Sequence, residues 1–305
     1  MEKKEYKSYE KIYSEFSKKP EDYIEKCEKR YDDFLESTVN KVVKKGIKRI
    51  FICGQSGSGK TTTSLRLTDM LNKKGLKTHI VELDDFFFPR GKHRINKDGK
   101  EDFESIFALD LKSIYKFADN IRNNKPVVMP DFDFKAGTKG EEKELIIGSE
   151  DVLVIEGLHS FNDRIQNAFG ATGKNLNIFV SLMSGLLIGD TKLSKTDLRF
   201  ARRLIRDYYH RNANPDWTIE LWQMVRAGEK RYVSGYLKKA DILFDTFIEY
   251  EIFLHKNDFV RLSEIGAQTA KSKGYYKTLL NKFKKIDVPH KVNVPSRSVL
   301  NEFKE

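Results

Sequence analysis

The chain has 305 residues, with 56 Lys or Arg against 45 Asp or Glu and a formal net charge of +11 at neutral pH. This length is enough for one large domain with appendages, whereas the longest apolar stretch, 178–188, is too short and too interrupted to span a bilayer. The first residues lack the apolar core of a signal peptide, and two cysteines cannot build a disulfide framework. We therefore expect a cytoplasmic protein without membrane contact.

The positive charge raises the question of nucleic-acid binding. Lysines are scattered along the whole chain, and no Arg/aromatic nucleic-acid motif is present. The concentrated basic region at 199–211 is explained more economically by an anionic nucleotide. Nucleic acid is therefore not favoured as a partner.

The first predicted element is a helix over residues 20–45. Pro20 suits a first helical position, apolar residues follow at three- and four-residue spacing, and Gly46 ends the pattern. Residues 1–19 are too polar to assign. We treat 1–46 as a helical extension that packs on the main domain.

The stretch 54–62, Gly-Gln-Ser-Gly-Ser-Gly-Lys-Thr-Thr, follows an apolar strand and satisfies the P-loop pattern. Its glycines allow positive φ, so that successive N–H groups approach one anion. Lys60 supplies a charge for the outer phosphates, and the Thr61 hydroxyl is suited to bind Mg²⁺. The pattern predicts a nucleotide-phosphate site formed by Gly54, Ser56, Gly57, Ser58, Gly59, Lys60, Thr61 and Thr62.

Two more predicted strands, 77–85 and 152–156, end in carboxylates. Because ligands bind at the carboxyl ends of parallel strands, we expect Asp84 and Asp85 to face the phosphate loop. Glu156 occupies the equivalent position on the other strand and can hold Mg²⁺ directly or through water. The alternative for Glu156 is a carboxylate that caps a turn.

The remaining pattern alternates helices and strands. We predict helices over 102–123, 197–209 and 275–283, and strands near 126–134, 177–182 and 240–246. With the P-loop on the first strand, this predicts an α/β, three-layer P-loop NTPase fold with a mostly parallel sheet. We place the main domain at 47–265 and a helix with an extended tail at 266–305.

The helix over 197–209 carries four arginines, Arg199, Arg202, Arg203 and Arg206. Their spacing of i, i+3, i+4 and i+7 puts them on one helical face, where like charges repel. This favours an Arg-rich lid over a phosphate site, with Asp197 or Asp207 orienting the arginines. The alternative is a solvated face with intrahelical ion pairs.

Phosphoryl transfer fits these features better than GTP hydrolysis does. The guanine-reading motif of GTPases is absent at the required spacing. A kinase needs a base near the acceptor hydroxyl, cations over the transferred group and exclusion of water. Asp84 can be that base, and the arginine helix can supply the cations.

Together the motifs resemble the uridine kinase/phosphoribulokinase-type P-loop kinases over 47–254, and most closely a bacterial nucleoside (uridine) kinase-like branch. The matching motifs are 54–62, 84–87, 101–104, 130–134, 152–157 and 197–207. The resemblance implies ATP as donor, a small-molecule hydroxyl as acceptor, and a homo-oligomer. It also implies roles for eight residues: Asp84 as base; Thr61, Glu156 and Asp84 at Mg²⁺; Arg199 on the acceptor side; and Arg202, Arg203 and Arg206 around the phosphates, where Lys60 and Arg203 assist catalysis.

Two departures concern the acceptor. Phe107 lies where the family has a ribose-binding carboxylate, and Gly137 lies where it has a base-reading histidine. Phenylalanine cannot accept a hydrogen bond from a diol, so that contact is absent unless Glu104 or Asp102 replaces it. A nucleoside such as uridine or cytidine remains the leading acceptor class. The alternatives are a sugar, polyol or pantothenate-like acceptor, or a regulatory or RNA-linked nucleotide-binding module with little kinase activity.

Several other side chains have two interpretations each. His159 contacts the acceptor or stabilises a turn. The basic residues of the loop after Asp85 bind an anionic acceptor or form a solvated loop; they are Arg90, Lys92, His93 and Arg94. Trp217 and Trp222 are interpreted as packing residues.

Overall fold

The computed structural model describes residues 5–95, 99, 101–148, 150–170 and 174–304, so that residues 1–4 of the predicted extension lie outside it. Its strands are β1 (Glu5–Ser8), β2 (Arg49–Gly54), β3 (Thr78–Glu82), β4 (Val127–Met129), β5 (Phe132–Asp133), β6 (Thr138–Lys139), β7 (Lys143–Leu145), β8 (Val152–Glu156), β9 (Asn175–Ser181), β10 (Ser184–Ile188), β11 (Thr191–Leu193) and β12 (Ile242–Asp245). Its helices are α1 (Tyr9–Lys18), α2 (Pro20–Lys45), α3 (Lys60–Lys73), α4 (Leu111–Arg122), α5 (Asp163–Ala168), α6 (Lys195–Arg211), α7 (Pro215–Gly228), α8 (Glu251–Gly266) and α9 (Ala270–Phe283).

The central sheet contains five parallel strands in the order β12-β9-β2-β8-β3. Side chains of β2 alternate between the two faces of this sheet. Ile50 and Ile52 join a core formed with α2, α3, α6 and α8, whereas Phe51 and Cys53 join a core formed with α4 and α5. The sheet is therefore the middle of three layers. The predicted α/β fold class is confirmed.

The amino-terminal helix has the predicted bounds. α2 runs from Pro20 to Lys45 and is capped by Gly46, whose φ of +60° is the left-handed conformation typical of a helix end. Its apolar stripe, including Tyr31 and Leu35, is buried in the same core as β2, and β1 pairs with β10. The division into 1–46, 47–265 and 266–305 stays a prediction, as do the cytoplasmic location and the homo-oligomer. No helix among the described residues is long and apolar enough to cross a membrane.

Two elements differ from the sequence-based expectation. The predicted helix over 102–123 begins only at α4, because the Asp102 carboxylate accepts from the N–H groups of Glu104 and Ser105 and holds a turn instead. Asp110 then caps α4 by accepting from the N–H of Ser113. The strand predicted near 126–134 becomes β4 and β5, which pair with β7 and β6 outside the central sheet.

Candidate active site

The predicted phosphate loop connects β2 to α3. Gly57 and Gly59 have φ of +71° and +83°, a conformation that glycine adopts without strain. A β-carbon at Gly57 would lie 2.9 Å from the carbonyl oxygen of Arg199, so α6 approaches the loop more closely than a side chain would allow. Because α3 starts at Lys60, the amino end of this helix faces the loop. The backbone therefore has the form of an anion-binding loop.

A cavity of about 560 Å³ opens above this loop. Six predicted loop residues line it: Ser56, Gly57, Ser58, Gly59, Lys60 and Thr61. Two others do not. Gly54 ends β2, where a β-carbon would lie 2.2 Å from the carbonyl oxygen of Val180, and Thr62 lies in the first turn of α3.

The ends of β3 and β8 bring acidic side chains to the loop. Thr61 Oγ1 donates to Glu156 Oε2 over 3.3 Å, and Lys60 Nζ lies 3.7 Å from Glu156 Oε1. Burial raises the pKa of Glu156 to about 8, although Lys60 opposes this shift. Asp84 lies in the 3₁₀ turn after β3 and lines the same cavity, whereas Asp85 does not line it.

Thr61 and Glu156 are a suitable donor set for Mg²⁺. This ion usually binds one or two carboxylates and completes its shell with water and phosphate oxygens. Glu156 is buried and lies 3.7 Å from Lys60, and a second cation beside it would further favour its ionised form. Within the described ranges, no group of three or more His, Cys, Asp or Glu side chains forms a metal cage. The residues present therefore fit an ion that is shared with a bound nucleotide.

The four predicted arginines do not all face the nucleotide site, which corrects the expectation of a single arginine face. Arg203 and Arg206 line the cavity, together with Arg211 from the last turn of α6. Arg199 and Arg202 are fully buried and do not line it. The helix is therefore part of the core on one side and part of the cavity wall on the other.

Buried carboxylates explain why two arginines turn away. Arg199 Nη2 donates to both carboxylate oxygens of Glu229 at 2.8 Å, and Arg202 Nε donates to Glu251 at 2.7 Å. Glu229 also accepts from the backbone N–H of Ser56 at 3.2 Å. Burial lowers the pKa of Arg199 to about 10, although Glu229 opposes the shift. Arg199 thus joins α6 to the phosphate loop through Glu229.

The sequence offered Asp197 or Asp207 as the residue that orients the arginines. Asp207 is the one that contacts the arginines of the cavity wall. Arg203 Nε lies 3.1 Å from Asp207, and Arg206 donates to it at 2.9 Å. Burial works against ionisation of this carboxyl, yet the surrounding arginines hold its pKa down at about 2. Arg203 also donates to Ser56 Oγ at 2.8 Å, which aims its charge at the loop. The other candidate, Asp197, caps α6 instead.

Two further carboxylates, Asp102 and Glu104, line the cavity. Burial raises the pKa of Glu104 to about 7, with Arg203 opposing. The wall around them is aromatic, formed by Phe87, Phe103, Phe132, Phe134, Trp217 and Tyr232. These carboxylates can accept hydrogen bonds from hydroxyl groups, and the aromatic wall can pack against an apolar or planar group.

Phe107 and Gly137, the two departures in the sequence, do not line the cavity. The guanidinium of Arg94 stacks on the Phe107 ring at 4.0 Å, and Gly137 has a φ of +72° in a tight turn. Asp102 and Glu104, which the sequence left as possible replacements, both line the cavity. The cavity therefore contains carboxylates that can accept hydrogen bonds from a diol.

The structure also distinguishes between the two interpretations of His159 and of the basic loop residues. His159 is buried and bonds through Nε2 to the carbonyl oxygen of Glu104 over 2.8 Å, which favours the structural interpretation. In the loop after Asp85, Arg90 and His93 line the cavity. Trp222 is core, but Trp217 lines the cavity and is 43% exposed, so the packing interpretation was wrong for Trp217.

Sequence reasoning missed Glu229 and Glu302. Glu229 lies at the start of a π-helical turn, 229–233, and no motif marked it. Glu302 lies in the final described segment, where its carboxylate accepts from the Thr62 hydroxyl over 2.9 Å and lines the cavity. A signal for either residue would have required knowledge of the tertiary contacts.

Comparison with known proteins agrees with this geometry. Residues 49–252 match the sequence profile of the Phosphoribulokinase / Uridine kinase family. A uridine kinase of Macrococcus caseolyticus is 27% identical over 195 residues, covering 64% of this chain and 85% of that protein. A uridine kinase of Saccharomyces cerevisiae is 28% identical over 197 residues, covering 64% of this chain. This chain matches only 36% of the yeast protein.

The fold has a counterpart among solved structures. A putative fructose transport system kinase from Silicibacter sp. TM1040 superposes with a TM-score of 0.50 at 18% identity, over 69% of this chain and 98% of that one. At this identity the likeness concerns the fold alone. The family match covers two-thirds of the chain and includes the phosphate loop, both acidic strand ends and the arginine helix. The chain therefore belongs to the phosphoribulokinase/uridine kinase family of phosphotransferases.

Proposed function

We propose that this protein transfers the γ-phosphoryl group of ATP to a hydroxyl group of a small molecule, with a nucleoside such as uridine or cytidine as the leading acceptor. The main support for this proposal is the composition of the cavity. A single cavity joins the phosphate loop, Asp84, and the carboxylates Asp102 and Glu104. The donor phosphates and an acceptor hydroxyl can therefore meet beside Asp84 in the same cavity.

The reaction requires that the acceptor oxygen form a bond to the γ-phosphorus while the bond from phosphorus to the leaving oxygen of ADP breaks. Asp84 takes the proton of the acceptor hydroxyl. Lys60, Arg203 and Arg206 stabilise the negative charge on the phosphates. Thr61 and Glu156 would hold Mg²⁺, which would neutralise charge on the outer phosphates. The prediction that Asp84 also binds this ion stays a prediction.

Two features support a nucleoside acceptor. Asp102 and Glu104 can accept hydrogen bonds from adjacent hydroxyl groups, as a ribose presents them. The aromatic wall can pack on a planar base. The named relatives from Macrococcus and yeast are uridine kinases. A sugar or polyol shares the hydroxyl groups and lacks the planar base, so the two acceptor classes can be separated experimentally.

The test is ADP release from ATP and Mg²⁺, measured with and without a panel of nucleosides, sugars and polyols. Stimulation by ribonucleosides supports the proposal, and stimulation only by sugars or polyols supports the transfer but changes the acceptor. If ATP binds without stimulated turnover and RNA binding is sensitive to salt, the protein is a nucleotide-binding module instead.

Replacing Glu104 by glutamine is expected to raise KM for the acceptor by tenfold or more. The reason is that a hydrogen bond to a charged group contributes about 1.5–3 kcal/mol. The same carboxyl makes a pH prediction. Because burial raises the pKa of Glu104 to about 7, acceptor affinity of the wild-type enzyme should increase as pH rises through 7.

Steady-state kinetics between about pH 6 and 8 measure both effects. Glu142→Gln, an exposed carboxylate outside the cavity, is the matched control and should behave as wild type. An acceptor KM that stays unchanged in Glu104→Gln would remove this residue from the acceptor site.

A further inference from the structure

The final described segment, residues 295–304, contributes Glu302 to the lining of the cavity; we call this segment the strap. It lies outside the family match of 49–252 and contains a 3₁₀ turn, Val299–Phe303. Val299, Leu300 and Phe303 are fully buried. The strap is therefore part of the packed structure.

Polar contacts hold both ends of the strap. Arg297 donates to Asp32 of α2 at 3.0 Å, and Ser298 Oγ lies 3.3 Å from the Tyr250 hydroxyl. At the other end, the carbonyl oxygen of Lys304 lies 2.9 Å from a ring nitrogen of His210 at the end of α6. These contacts fix the backbone between them.

This fixed backbone presents one carboxylate to the donor end of the cavity. Glu302 Oε2 accepts from the Thr62 hydroxyl over 2.9 Å, and Glu302 Oε1 lies 3.8 Å from Arg206 Nη1. Val299 packs on the loop itself, because a β-carbon at Gly59 would lie 2.6 Å from its side chain. Glu302 thus bonds to the first turn of α3 and pairs with an arginine of the cavity wall.

Thr62 belongs to the first turn of α3, directly after the phosphate loop, and Arg206 is an arginine of the cavity wall. The amino end of α3 and a cation from α6 attract negative charge, and the Glu302 carboxylate lies beside both. A nucleotide phosphate brought to the same place would face Glu302 as a like charge. The buried apolar side chains of the strap hold its backbone, whereas the Glu302 side chain is held only by its contacts with Thr62 and Arg206.

We propose that Glu302 is an internal competitor of the donor nucleotide: its carboxylate occupies a phosphate position, and nucleotide binding requires the side chain to turn out while the strap stays docked. This inference rests on the proposed function, since it concerns the same donor site. It predicts that the chain limits its own affinity for phosphorylated nucleotides.

The test compares Kd values of adenosine, AMP, ADP and ATP by calorimetry for the wild-type protein, Glu302→Gln and Glu302→Ala. Removing the like charge should tighten binding of the three phosphorylated ligands by roughly tenfold. Adenosine carries no phosphate, so its affinity should not change. Glu264→Gln, an exposed carboxylate on α8, is the matched control and should leave all four values unchanged.

Equal or weaker binding of AMP, ADP and ATP by both Glu302 variants would overturn the proposal. A loss of affinity that includes adenosine would do the same and would indicate that Glu302 contacts the nucleoside. A different result would contradict the proposed function, namely ATP binding without acceptor-stimulated ADP release. Thermal unfolding of each variant checks that the strap remains docked.

Discussion

Asp84→Asn is expected to lower kcat by about 10²–10⁴-fold while ATP affinity stays close to wild type. A positioned general base contributes a factor of this size, and asparagine keeps the shape of the side chain without its ability to take a proton. Asp84 lines the cavity beside Lys60 and the phosphate loop, at the end of β3. Steady-state kinetics with the best acceptor, together with ATP calorimetry, separate the two effects.

The neighbouring Asp85 provides the control. It shares the 3₁₀ turn with Asp84 but does not line the cavity, and burial raises its pKa to about 7. Asp85→Asn should therefore retain kcat within a few-fold of wild type. Near wild-type turnover by Asp84→Asn, or an equal loss in both variants, would contradict the assignment of Asp84 as base.

Arg202→Met is expected to lower the free energy of unfolding by about 3–5 kcal/mol, because removing one partner of a buried ion pair leaves the other charge unpaired. Arg202 and Glu251 are both buried, and Arg202 Nη2 also donates to the carbonyl oxygen of Thr246 at 2.8 Å. Urea unfolding monitored by fluorescence measures the loss.

The double variant Arg202→Met, Glu251→Leu should recover most of that stability, since an apolar pair of similar volume is often as stable as a buried ion pair. ATP affinity of the folded variants should be unchanged, because Arg202 does not line the cavity. If Arg202→Met keeps its stability but loses ATP affinity, the phosphate role predicted from the sequence is correct and the role in folding is not.

The donor half of the site could be predicted from local sequence. The loop 54–62, its glycines and the acids Asp84 and Glu156 form patterns within a few residues. The structure brings residues 56–61 of the loop and both acids to one cavity. Helix α2 was predictable for the same reason, because Pro20, its apolar spacing and Gly46 are all local signals.

The rest depends on contacts between distant residues. Periodicity put four arginines on one face, but Glu229 and Glu251, which bind Arg199 and Arg202, lie 30 and 49 residues further along. Glu302 meets Thr62 across 240 residues of sequence. Even the late start of α4 depends on a competing turn at Asp102, which overrides a helical apolar pattern.

Phosphoryl transfer to an acceptor hydroxyl can be followed through the fate of the γ-phosphoryl group. The protein is incubated with γ-labelled ATP, Mg²⁺ and uridine, and the products are separated and identified by mass spectrometry. We predict uridine carrying one labelled phosphate, formed in equal amount with ADP and lost in Asp84→Asn. If the label appears only as inorganic phosphate and no member of the nucleoside, sugar and polyol panel becomes labelled, the protein does not transfer the phosphoryl group to these acceptors and the proposed function is wrong.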